Sequence, residues 1–321
     1  MNRKFITASI LFILSYAPAC LFGGPTEKKR IVFIINPISH ELKGIDVKNV
    51  IETNLDSNQF DYTIVYTQYA NHASQLAKQA MHSADIIAAV GGDGTVNEVG
   101  RALIHSQAIL AIIPVGSGNG LARHLGIPVG LTKGIKALNY GHPIVIDTAK
   151  INEKPFLGVA GIGFDAHIAH KFALFGNRGF FSYFQVASKE FPLYTPQSYL
   201  ITIDGKQITR KAFILSFANS SQYGNNFTIA PQAHISDGYL DLVIIDDIPL
   251  YAIPKILSRF GQGTLNRSQH VESYPFKELI IQHPHMQAHI DGEPIICENK
   301  IKVTIDPQSL RVLVPKNRKN F

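Results

Sequence analysis

The sequence predicts an α/β domain with a parallel sheet, followed by a larger domain built mostly of antiparallel strands. Strand-like and helical patterns alternate up to about residue 143, and strand-like runs dominate from there onward. The 321 residues, 45% of them hydrophobic, are enough for two domains with their own cores. We therefore predict domains at residues 28–143 and 144–316, preceded by a hydrophobic leader at residues 1–24.

The first predicted elements alternate between strand and helix. Residues 31–35 form an apolar strand that ends at Asn36-Pro37, and residues 60–67 alternate as a second strand. A helical pattern covers residues 72–82, and the apolar run at residues 85–90 is typical of a buried third strand. This order predicts a parallel sheet covered by helices on both faces.

Three glycines surround an aspartate directly after the third strand, in the motif GGDGT at residues 91–95. A strand, a glycine turn and a helix start allow backbone N–H groups to approach a phosphate without obstruction by Cβ atoms. A loop that only held anions would not carry the negative side chain of Asp93. The aspartate therefore indicates a metal bridge, a bound water, or a general base for a hydroxyl that attacks phosphate.

A second glycine turn, VGSGNG at residues 115–120, follows the apolar run at residues 108–113. Ser117 can donate to a phosphate oxygen, and Asn119 can cap the next helix or bond a nucleotide. Two such turns at the carboxyl ends of parallel strands meet at the edge where open α/β sheets bind ligands. The pair predicts phosphoryl transfer, although neither turn is a P-loop because no Gly-Lys-Ser/Thr follows.

Strand-like runs fill the second half of the chain, at residues 199–203, 211–218, 239–245, 279–282 and 301–305. Asp204-Gly205 between the first two runs predicts a hairpin turn. Helical patterns lie near residues 166–173 and 250–260. We expect the active site in the cleft between the two domains.

Charge and cysteine content narrow the class of protein. The net charge of +6 suits anionic nucleotides and membrane surfaces, and the sequence has no basic run with interleaved aromatics that would indicate nucleic-acid binding. Cys20 and Cys297 provide neither a disulfide framework nor a zinc site. The 13 histidines form no ligand constellation, and those at positions 283, 285 and 289 are interpreted as surface or edge residues.

The leader is an apolar run at residues 5–22 that follows Arg3 and Lys4. It is nearly long enough to span a bilayer, and small residues precede Cys20 as in a cleavage site. Basic residues on both sides leave its orientation undecided. A secretory signal, an uncleaved anchor and a leader that only adheres to membranes all stay open.

Five motifs occur in the order found in one enzyme superfamily: GGDGTVNEV at residues 91–99, PVGSGNGLAR at 114–123, GVAGIGFDAHIAH at 158–170, YGNNFTIAPQAHISDGYLDL at 223–242 and IDGEP at 290–294. Through them the chain resembles the diacylglycerol kinase catalytic-domain superfamily, which includes bacterial soluble lipid kinases, sphingosine kinases and ceramide kinases. The resemblance implies an NAD kinase/diacylglycerol kinase-like nucleotide-binding domain and a mostly antiparallel β-sandwich domain for the lipid substrate.

The implied activity is that of an ATP- and Mg²⁺-dependent lipid kinase acting on the hydroxyl of a diacylglycerol or a sphingoid base. In the family the IDGEP motif supplies catalytic carboxylates, so Asp291 is the first candidate for the base, and Glu293 would assist it or hold Mg²⁺. Sphingosine kinases are assigned the aspartate of the first glycine loop, which makes Asp93 the second candidate. Without the resemblance, Asp291-Gly292 is interpreted as an ordinary hairpin turn.

The same resemblance implies a set of nucleotide-binding residues. They are Asn36, Thr67, Gly91, Gly92, Gly94, Thr95, Asn97, Glu98, Gly116, Ser117, Gly118 and Asn119. His40 stands where many members carry a glycine, and histidine adopts a positive φ less readily. This departure keeps a catalytically silent lipid- or nucleotide-binding protein open, and the shared GGDGT motif keeps an NAD kinase-like enzyme open.

A structural metal and a substrate contact also follow from the resemblance. Bacterial members bind Mg²⁺ at an acidic turn, here Asp237 with the backbone carbonyls of His234 and Tyr239; the alternative is a plain Asp-Gly turn. Asp165 either faces the lipid head group or the nucleotide ribose, or caps the helix after it. A phenylalanine-rich stretch is either helix core or an apolar lip for an acyl chain, at positions 172, 175, 180, 181 and 184.

The implied partners are the lipid substrate and a membrane surface, with no nucleic acid, and a homodimer stays open. Because ATP is cytosolic, we expect a membrane-associated kinase domain that faces the cytoplasm. Secretion through the leader into a host cell is the alternative.

Overall fold

The computed structural model describes residues 27–174, 180–284 and 286–316, so the leader, Phe175 and His285 lie outside the described residues, as do the side chains at positions 180–184. The N-terminal domain has four parallel strands in the spatial order β2-β1-β3-β4. They are β1 (Lys29–Ile35), β2 (Phe60–Tyr66), β3 (Ile86–Gly91) and β4 (Ile109–Pro114). The helices between and after them are α1 (Val47–Asn54), α2 (His72–Ala80), α3 (Asp93–Leu103), α4 (Gly120–His124) and α5 (Leu131–Leu138).

The central strands of this sheet are buried on both faces, because side chains alternate between two cores. Ile34 and Ile87 pack on one face with residues of α2 and α3. Phe33 and Ile86 pack on the other face with residues of α1 and α5. The continuous apolar runs of the sequence therefore correspond to strands covered by helices on both sides.

The C-terminal domain is a sandwich of two sheets. Its strands are β5 (Gly141–Ile151), β6 (Lys154–Phe156), β7 (Val159–Gly163), β8 (Gln197–Ile203), β9 (Lys206–Ala212), β10 (Ile214–Ala218), β11 (Gln222–Gly224), β12 (Phe227–Thr228), β13 (Leu240–Ile245), β14 (Val271–Phe276), β15 (Glu278–Gln282), β16 (Met286–Ile290), β17 (Glu293–Cys297) and β18 (Lys300–Pro315). One sheet has the antiparallel order β14-β13-β10-β7-β16-β17. The other contains β9, β8, β15 and β18, with β5 beside β18 and β6 beside β5. Their facing side chains, such as Phe156, Phe217 and Phe276, form one fully buried core.

The long strand β18 belongs to both domains. Its first half pairs with β15, and its last residues pair with β5 and run parallel to β4 through Val312 and Leu110. The pairing shifts register between Asp306 and Leu310, where Gln308 has a positive φ of 49°. One sheet path therefore continues from the N-terminal domain into the sandwich.

Helices cover the outer face of the sheet β14-β13-β10-β7-β16-β17. They are α6 (Phe164–Ala173), α7 (Phe180–Glu190) and α8 (Ile253–Gln262), with single 3-10 turns at Phe191–Leu193 and Leu250–Ala252. Ile168, Ile256 and Phe260 from these helices form a core with outward-facing residues of β7, β10 and β13. Within the described parts of the chain, no helix has the length and apolar character needed to cross a membrane.

The predicted fold class is confirmed: a parallel α/β domain precedes a mostly antiparallel sandwich. The predicted turn at Asp204-Gly205 joins β8 to β9, and both residues have a positive φ. The strand predicted at residues 211–218 is wrong in one respect. The chain passes from β9 in one sheet to β10 in the other at Phe213, and an apolar run alone does not reveal such a crossing.

Candidate active site

The two glycine turns lie in contact at the carboxyl ends of β3 and β4. The backbone N–H of Val115 donates to the carbonyl of Gly91 at 3.0 Å, which continues the strand pairing into the turns. A Cβ atom on Gly116 would lie only 2.5 Å from the Cα of Gly92. Glycine at position 116 is therefore required for this close approach.

Asp93 joins the two turns through its carboxylate. Its Oδ2 accepts the N–H of Asn119 at 2.8 Å, and its Oδ1 accepts the N–H of Gly120 at 2.7 Å. A Cβ atom on Gly118 would lie 2.7 Å from Oδ2, so a larger residue would displace the carboxylate. Burial raises the pKa of Asp93; the two backbone hydrogen bonds oppose that rise, and the charge of Asp291 adds to it.

Asn119 stabilises the second turn from within. Its Oδ1 accepts the N–H of Gly116 at 3.0 Å and its Nδ2 donates to the carbonyl of Gly116 at 2.6 Å, while its own φ is 54°. The side chain therefore closes the turn and makes no capping hydrogen bond to α4. Ser117, at the tip of the turn, stays exposed.

Asn36 connects the loop after β1 to the first glycine turn. Its Oδ1 accepts the N–H of Ile38 at 3.2 Å, and its Nδ2 donates to Oγ1 of Thr95, also at 3.2 Å. The Thr95 side chain packs over Gly91, where a Cβ atom would lie 2.5 Å away. Residues 40–42 continue this loop as one 3-10 turn, a right-handed backbone that does not require glycine at position 40.

Glu98 and Thr67 hold the frame around these loops. The Glu98 carboxylate accepts the N–H groups of Asn71 at 2.9 Å and Ala73 at 3.0 Å, and so stabilises the start of α2. Thr67 follows β2, and its N–H donates to the carbonyl of Ile35. Several residues predicted to bind nucleotide therefore make hydrogen bonds within the protein, whereas Gly94 in the first turn of α3 and Ser117 in the second glycine turn are exposed.

Asp291 occupies the hairpin turn between β16 and β17 and folds back over the start of β7. Asp291 and Gly292 have φ values of 50° and 84°, as in a two-residue hairpin turn. The Asp291 carboxylate accepts the N–H groups of Leu157 at 3.0 Å, Gly158 at 2.8 Å and Val159 at 3.1 Å. The hairpin interpretation and the functional one are thus compatible, because the turn directs a fixed carboxylate into the cleft.

Arg101 links this hairpin to the N-terminal domain. Its guanidinium lies 3.6 Å from Oδ2 of Asp291 and 3.4 Å from Oε2 of Glu293. Sequence reasoning missed Arg101, although a signal was present. Asp93, Asn97 and Arg101 are spaced by four residues and share one face of α3.

A cavity of about 740 Å³ begins at the carboxylates of Asp93 and Asp291 and extends under α6 and α8. Asp93, Asn97, Ser117 and Asp291 line its polar end. Apolar side chains dominate the rest of the wall, among them Phe164, Ile168, Phe172, Phe213, Ile256 and Phe260. A cavity with one polar end and a long apolar wall fits a ligand of the same character.

Asp165 forms a buried polar cluster on the wall of this cavity. Its Oδ2 lies 3.0 Å from Nε2 of His289, accepts the Tyr223 hydroxyl at 2.8 Å and accepts the Ser216 hydroxyl at 3.3 Å. Asp165 and His289 are 6% and 3% exposed, so the prediction of a surface or edge position for His289 is wrong. Asp165 lies in the first turn of α6 and accepts the N–H of Ala166, which leaves Oδ2 for the cluster.

The acidic turn predicted to hold a structural metal directly precedes β13 and contacts β5. Oδ1 of Asp237 accepts the N–H of Tyr239 at 3.0 Å, and Gly238 donates to Oδ2 of the fully buried Asp147 at 2.7 Å. Burial raises the pKa of nearby Asp241, and the charge of Asp237 adds to the increase. Carboxylate and backbone carbonyl oxygens are the ligands that Mg²⁺ prefers, so the residue types at this turn fit the ion chemically. Among the residues described, no group of three or more His, Cys, Asp and Glu side chains forms a metal centre.

Family models match both domains of this chain. The diacylglycerol kinase catalytic domain matches residues 30–151, and the YegS C-terminal NAD kinase beta sandwich-like domain matches residues 158–314. A Citrobacter koseri protein named "Probable lipid kinase YegS-like" is 30% identical to this chain over 256 residues. The match covers 77% of this chain and 82% of that protein. The chain belongs to the diacylglycerol kinase catalytic-domain superfamily. The predicted class of enzyme, a lipid kinase, is confirmed at this level.

Other relatives agree in name and in fold. A diacylglycerol kinase from Bacillus subtilis is 27% identical over 277 residues and covers 83% of this chain and 90% of that protein. A crystal structure of a putative diacylglycerol kinase from Bacillus anthracis superposes with a TM-score of 0.75 at 20% identity, covering 92% of this chain and 98% of that one. Because the two sequences are only 20% identical, this structural similarity is evidence that the two chains share a fold and nothing more.

Proposed function

We propose that this lipid kinase transfers the γ-phosphoryl group of ATP, with Mg²⁺, to a hydroxyl of a lipid whose hydrocarbon occupies the apolar cavity. A single observation carries the proposal. One continuous cavity joins the glycine turns and the carboxylates of Asp93 and Asp291 to an apolar wall inside the C-terminal domain. A phosphate-binding edge and a hydrocarbon site therefore meet at the groups that can accept a proton.

The nucleotide end is built from backbone. Gly92 precedes α3, and the first residues of α3 leave N–H groups that have no partner within the helix. A Cβ atom on Gly94 would approach no heavy atom more closely than Oε1 of Glu293, at 4.0 Å. This open surface beside the second turn fits the phosphates of ATP, whose charges Mg²⁺ would partly neutralise when bound.

The lipid end offers a hydrogen-bond donor next to the apolar wall. Asn97 is 4% exposed and lines the cavity, and its Nδ2 has no hydrogen-bond partner among the described residues. A buried amide without a partner carries a free-energy penalty that a ligand can remove. A hydroxyl or ester oxygen of a lipid head group would provide that acceptor, so we assign Asn97 to the lipid and not to the nucleotide.

The two aspartates have different roles in this proposal. Asp291 lies on the sandwich side of the cleft and takes the proton of the lipid hydroxyl, because a carboxylate that already accepts three N–H bonds still has lone pairs for a further donor. Arg101 orients it and Glu293 together. Asp93 fixes the glycine turns that hold the phosphates. Asp237, with the carbonyls of His234 and Tyr239, would hold a second, structural Mg²⁺.

Phosphate transfer from γ-labelled ATP to a panel of lipids tests the proposal. The panel contains diacylglycerol, monoacylglycerol, a sphingoid base and phosphatidylglycerol, with NAD as a non-lipid acceptor. We expect Mg²⁺-dependent transfer to one lipid class. Asp291→Asn should lower kcat by a factor of about 100 or more while ATP still binds, because only the proton acceptor is lost. Asp93→Asn should weaken ATP binding as well.

Other outcomes would contradict parts of the proposal. Transfer to NAD alone would favour an NAD kinase-like enzyme. ATP binding without transfer to any acceptor would favour a catalytically silent binding protein. Unchanged turnover in Asp291→Asn would assign the base to Asp93.

A further inference from the structure

The mouth of the apolar cavity carries an exposed hydrophobic patch. Leu250 and Leu257 line the cavity and are still 70% and 37% exposed, and the adjacent Tyr251 is 82% exposed. A side chain that lines a cavity and also meets solvent lies at its opening. Leu250, Tyr251 and Leu257 are therefore called the mouth patch. Ile256 and Phe260 of the same helix are buried and line the cavity within.

The segment that carries the mouth patch is basic. Residues 248–271 contain Lys255, Arg259 and Arg267 and no Asp or Glu. Of the acidic residues that flank this segment, Asp247 and Glu272 pair with Lys211 and Arg210 outside it. Lys255 is exposed on α8, the same helix as Leu257. Exposed apolar residues next to uncompensated basic residues are typical of surfaces that enter the interface of a membrane containing anionic lipids.

We propose that the mouth patch docks on an anionic lipid bilayer, so that the cavity opens directly into the hydrocarbon region. This inference rests on the proposed function, because it supplies the route by which a lipid reaches Asp291. A long-chain lipid that passed through water would expose its methylene groups, at a free-energy cost for each of them. A cavity opening within the membrane avoids that exposure.

A second copy of this chain fits the mouth patch less well. A two-fold dimer places the same surface on both sides of the interface, so that each residue of the patch meets its own equivalents. Lys255 and Arg259 would then approach the same basic residues of the other copy, with no acidic residue of this segment to pair with them. Like charges at an interface oppose association.

A single tryptophan at position 251 tests the proposal in the full-length chain. The sequence has no tryptophan, so Tyr251→Trp introduces the only indole. Bromine-labelled acyl chains quench an indole only where it enters the bilayer, whether or not the leader also holds the protein there. The control is Tyr140→Trp, a substitution of the same kind at a residue that is 48% exposed, close to the end of α5.

In vesicles of bromolipid and phosphatidylglycerol, we expect the indole emission of the Tyr251→Trp chain to shift to shorter wavelengths and to be quenched, with that of the Tyr140→Trp chain unchanged. Adding Lys255→Gln to the Tyr251→Trp chain should lower the partitioning of the indole about fivefold, because one basic residue near an anionic surface is lost. Equal quenching at both positions, or none at position 251, would overturn the proposal. If the indole emission at position 251 shifted without vesicles, and light scattering showed that the molecular mass had doubled, the patch would be assigned to a dimer interface.

Kinase assays on a dispersed short-chain diacylglycerol separate the two proposals. Quenching at position 251 without phosphate transfer to any lipid would support membrane docking of the mouth patch and contradict the proposed function. Phosphate transfer to the dispersed lipid by a Tyr251→Trp chain whose indole is not quenched would support the proposed function and contradict membrane docking of the mouth patch.

Discussion

Asp93 and Asp291 are both held by backbone N–H groups, yet loss of charge at each should have a different effect. The partners of Asp93 belong to the second glycine turn, so in the proposed mechanism its charge acts where ATP binds. The partners of Asp291 are residues 157–159 at the start of the sandwich sheet, so in the same proposal its charge acts where the lipid hydroxyl binds. The two residues therefore give separable kinetic signatures.

The pH dependence of ATP binding should report on Asp93. Burial raises its pKa, so on acidification it gains a proton at a higher pH than an ordinary aspartate, whose pKa is 3.8. The neutral carboxyl holds the N–H groups of Asn119 and Gly120 more weakly. We expect the KM for ATP to rise on acidification at a pH above 3.8, and we expect Asp93→Asn to lose this dependence. A KM for ATP that stays flat down to about pH 4 in the wild type would contradict the assignment.

The same raised pKa also affects stability. The folded state holds the Asp93 proton more tightly than the unfolded chain does, so this contribution to stability is complete below the unfolded pKa and disappears as the pH rises through the folded one. Burial of Asp93 therefore favours its protonated form in the folded chain, whereas the proposed role in ATP binding uses the charged form.

The Asp165 cluster yields a prediction on stability. Tyr223→Phe removes the hydroxyl that donates to Asp165 at 2.8 Å and also contacts Ser216, and it leaves a buried carboxylate with one donor fewer. The free energy of unfolding should fall by about 1–3 kcal/mol in urea titrations. Tyr140→Phe, at an exposed tyrosine, is the matched control and should change it by less than about 0.5 kcal/mol. If Tyr223→Phe and Tyr140→Phe lowered the free energy of unfolding equally, the Asp165 cluster would not stabilise the fold.

At the scale of elements, the glycine turns are the parts that sequence alone predicted best. The motif GGDGT follows a buried strand and begins α3, as its pattern required. The partners of Asp165 could not be predicted, because Ser216, Tyr223 and His289 come from three separate segments that no local pattern connects. Helices α1 and α5 were also missed, since each has only eight residues. Short elements and distant contacts depend on packing, which periodicity does not encode.

Contact between the turns can be tested by enlarging one of them. Gly116→Ala places a Cβ atom 2.5 Å from the Cα of Gly92, so the turns must separate and ATP binding should weaken about tenfold or more, by calorimetry. Gly261→Ala is the control, because no atom lies within 4 Å of its Cβ position in α8. It should leave ATP binding unchanged and raise helix stability by about 1 kcal/mol. If Gly116→Ala bound ATP normally, the turns would not form the nucleotide site.

At the scale of the whole molecule, β18 makes the stability of one domain depend on the other. Val312→Asp places a charge at a fully buried position that pairs with Leu110 of the N-terminal sheet. It should cost about 4 kcal/mol or more and unfold both domains in one transition, as followed by circular dichroism and by ATP binding. Arg311→Asp, at the exposed neighbouring position, should be tolerated. Two separate transitions in Val312→Asp would show that the domains unfold independently.

The continuity of β5 and β18 across both domains has a consequence for motion during catalysis. Kinases of other architectures close two lobes over their substrates by rotation about a hinge. Here such a rotation would shear the paired backbone of β5 and β18, whose ladder extends from Gly141 to Ile151. Although this ladder shifts register once, between Asp306 and Leu310, we expect it to set the spacing between the glycine turns and the Asp291 hairpin before either substrate binds. We therefore expect substrate entry and product release to depend on local movement of α6 and α8 over the apolar cavity, and to limit the turnover rate.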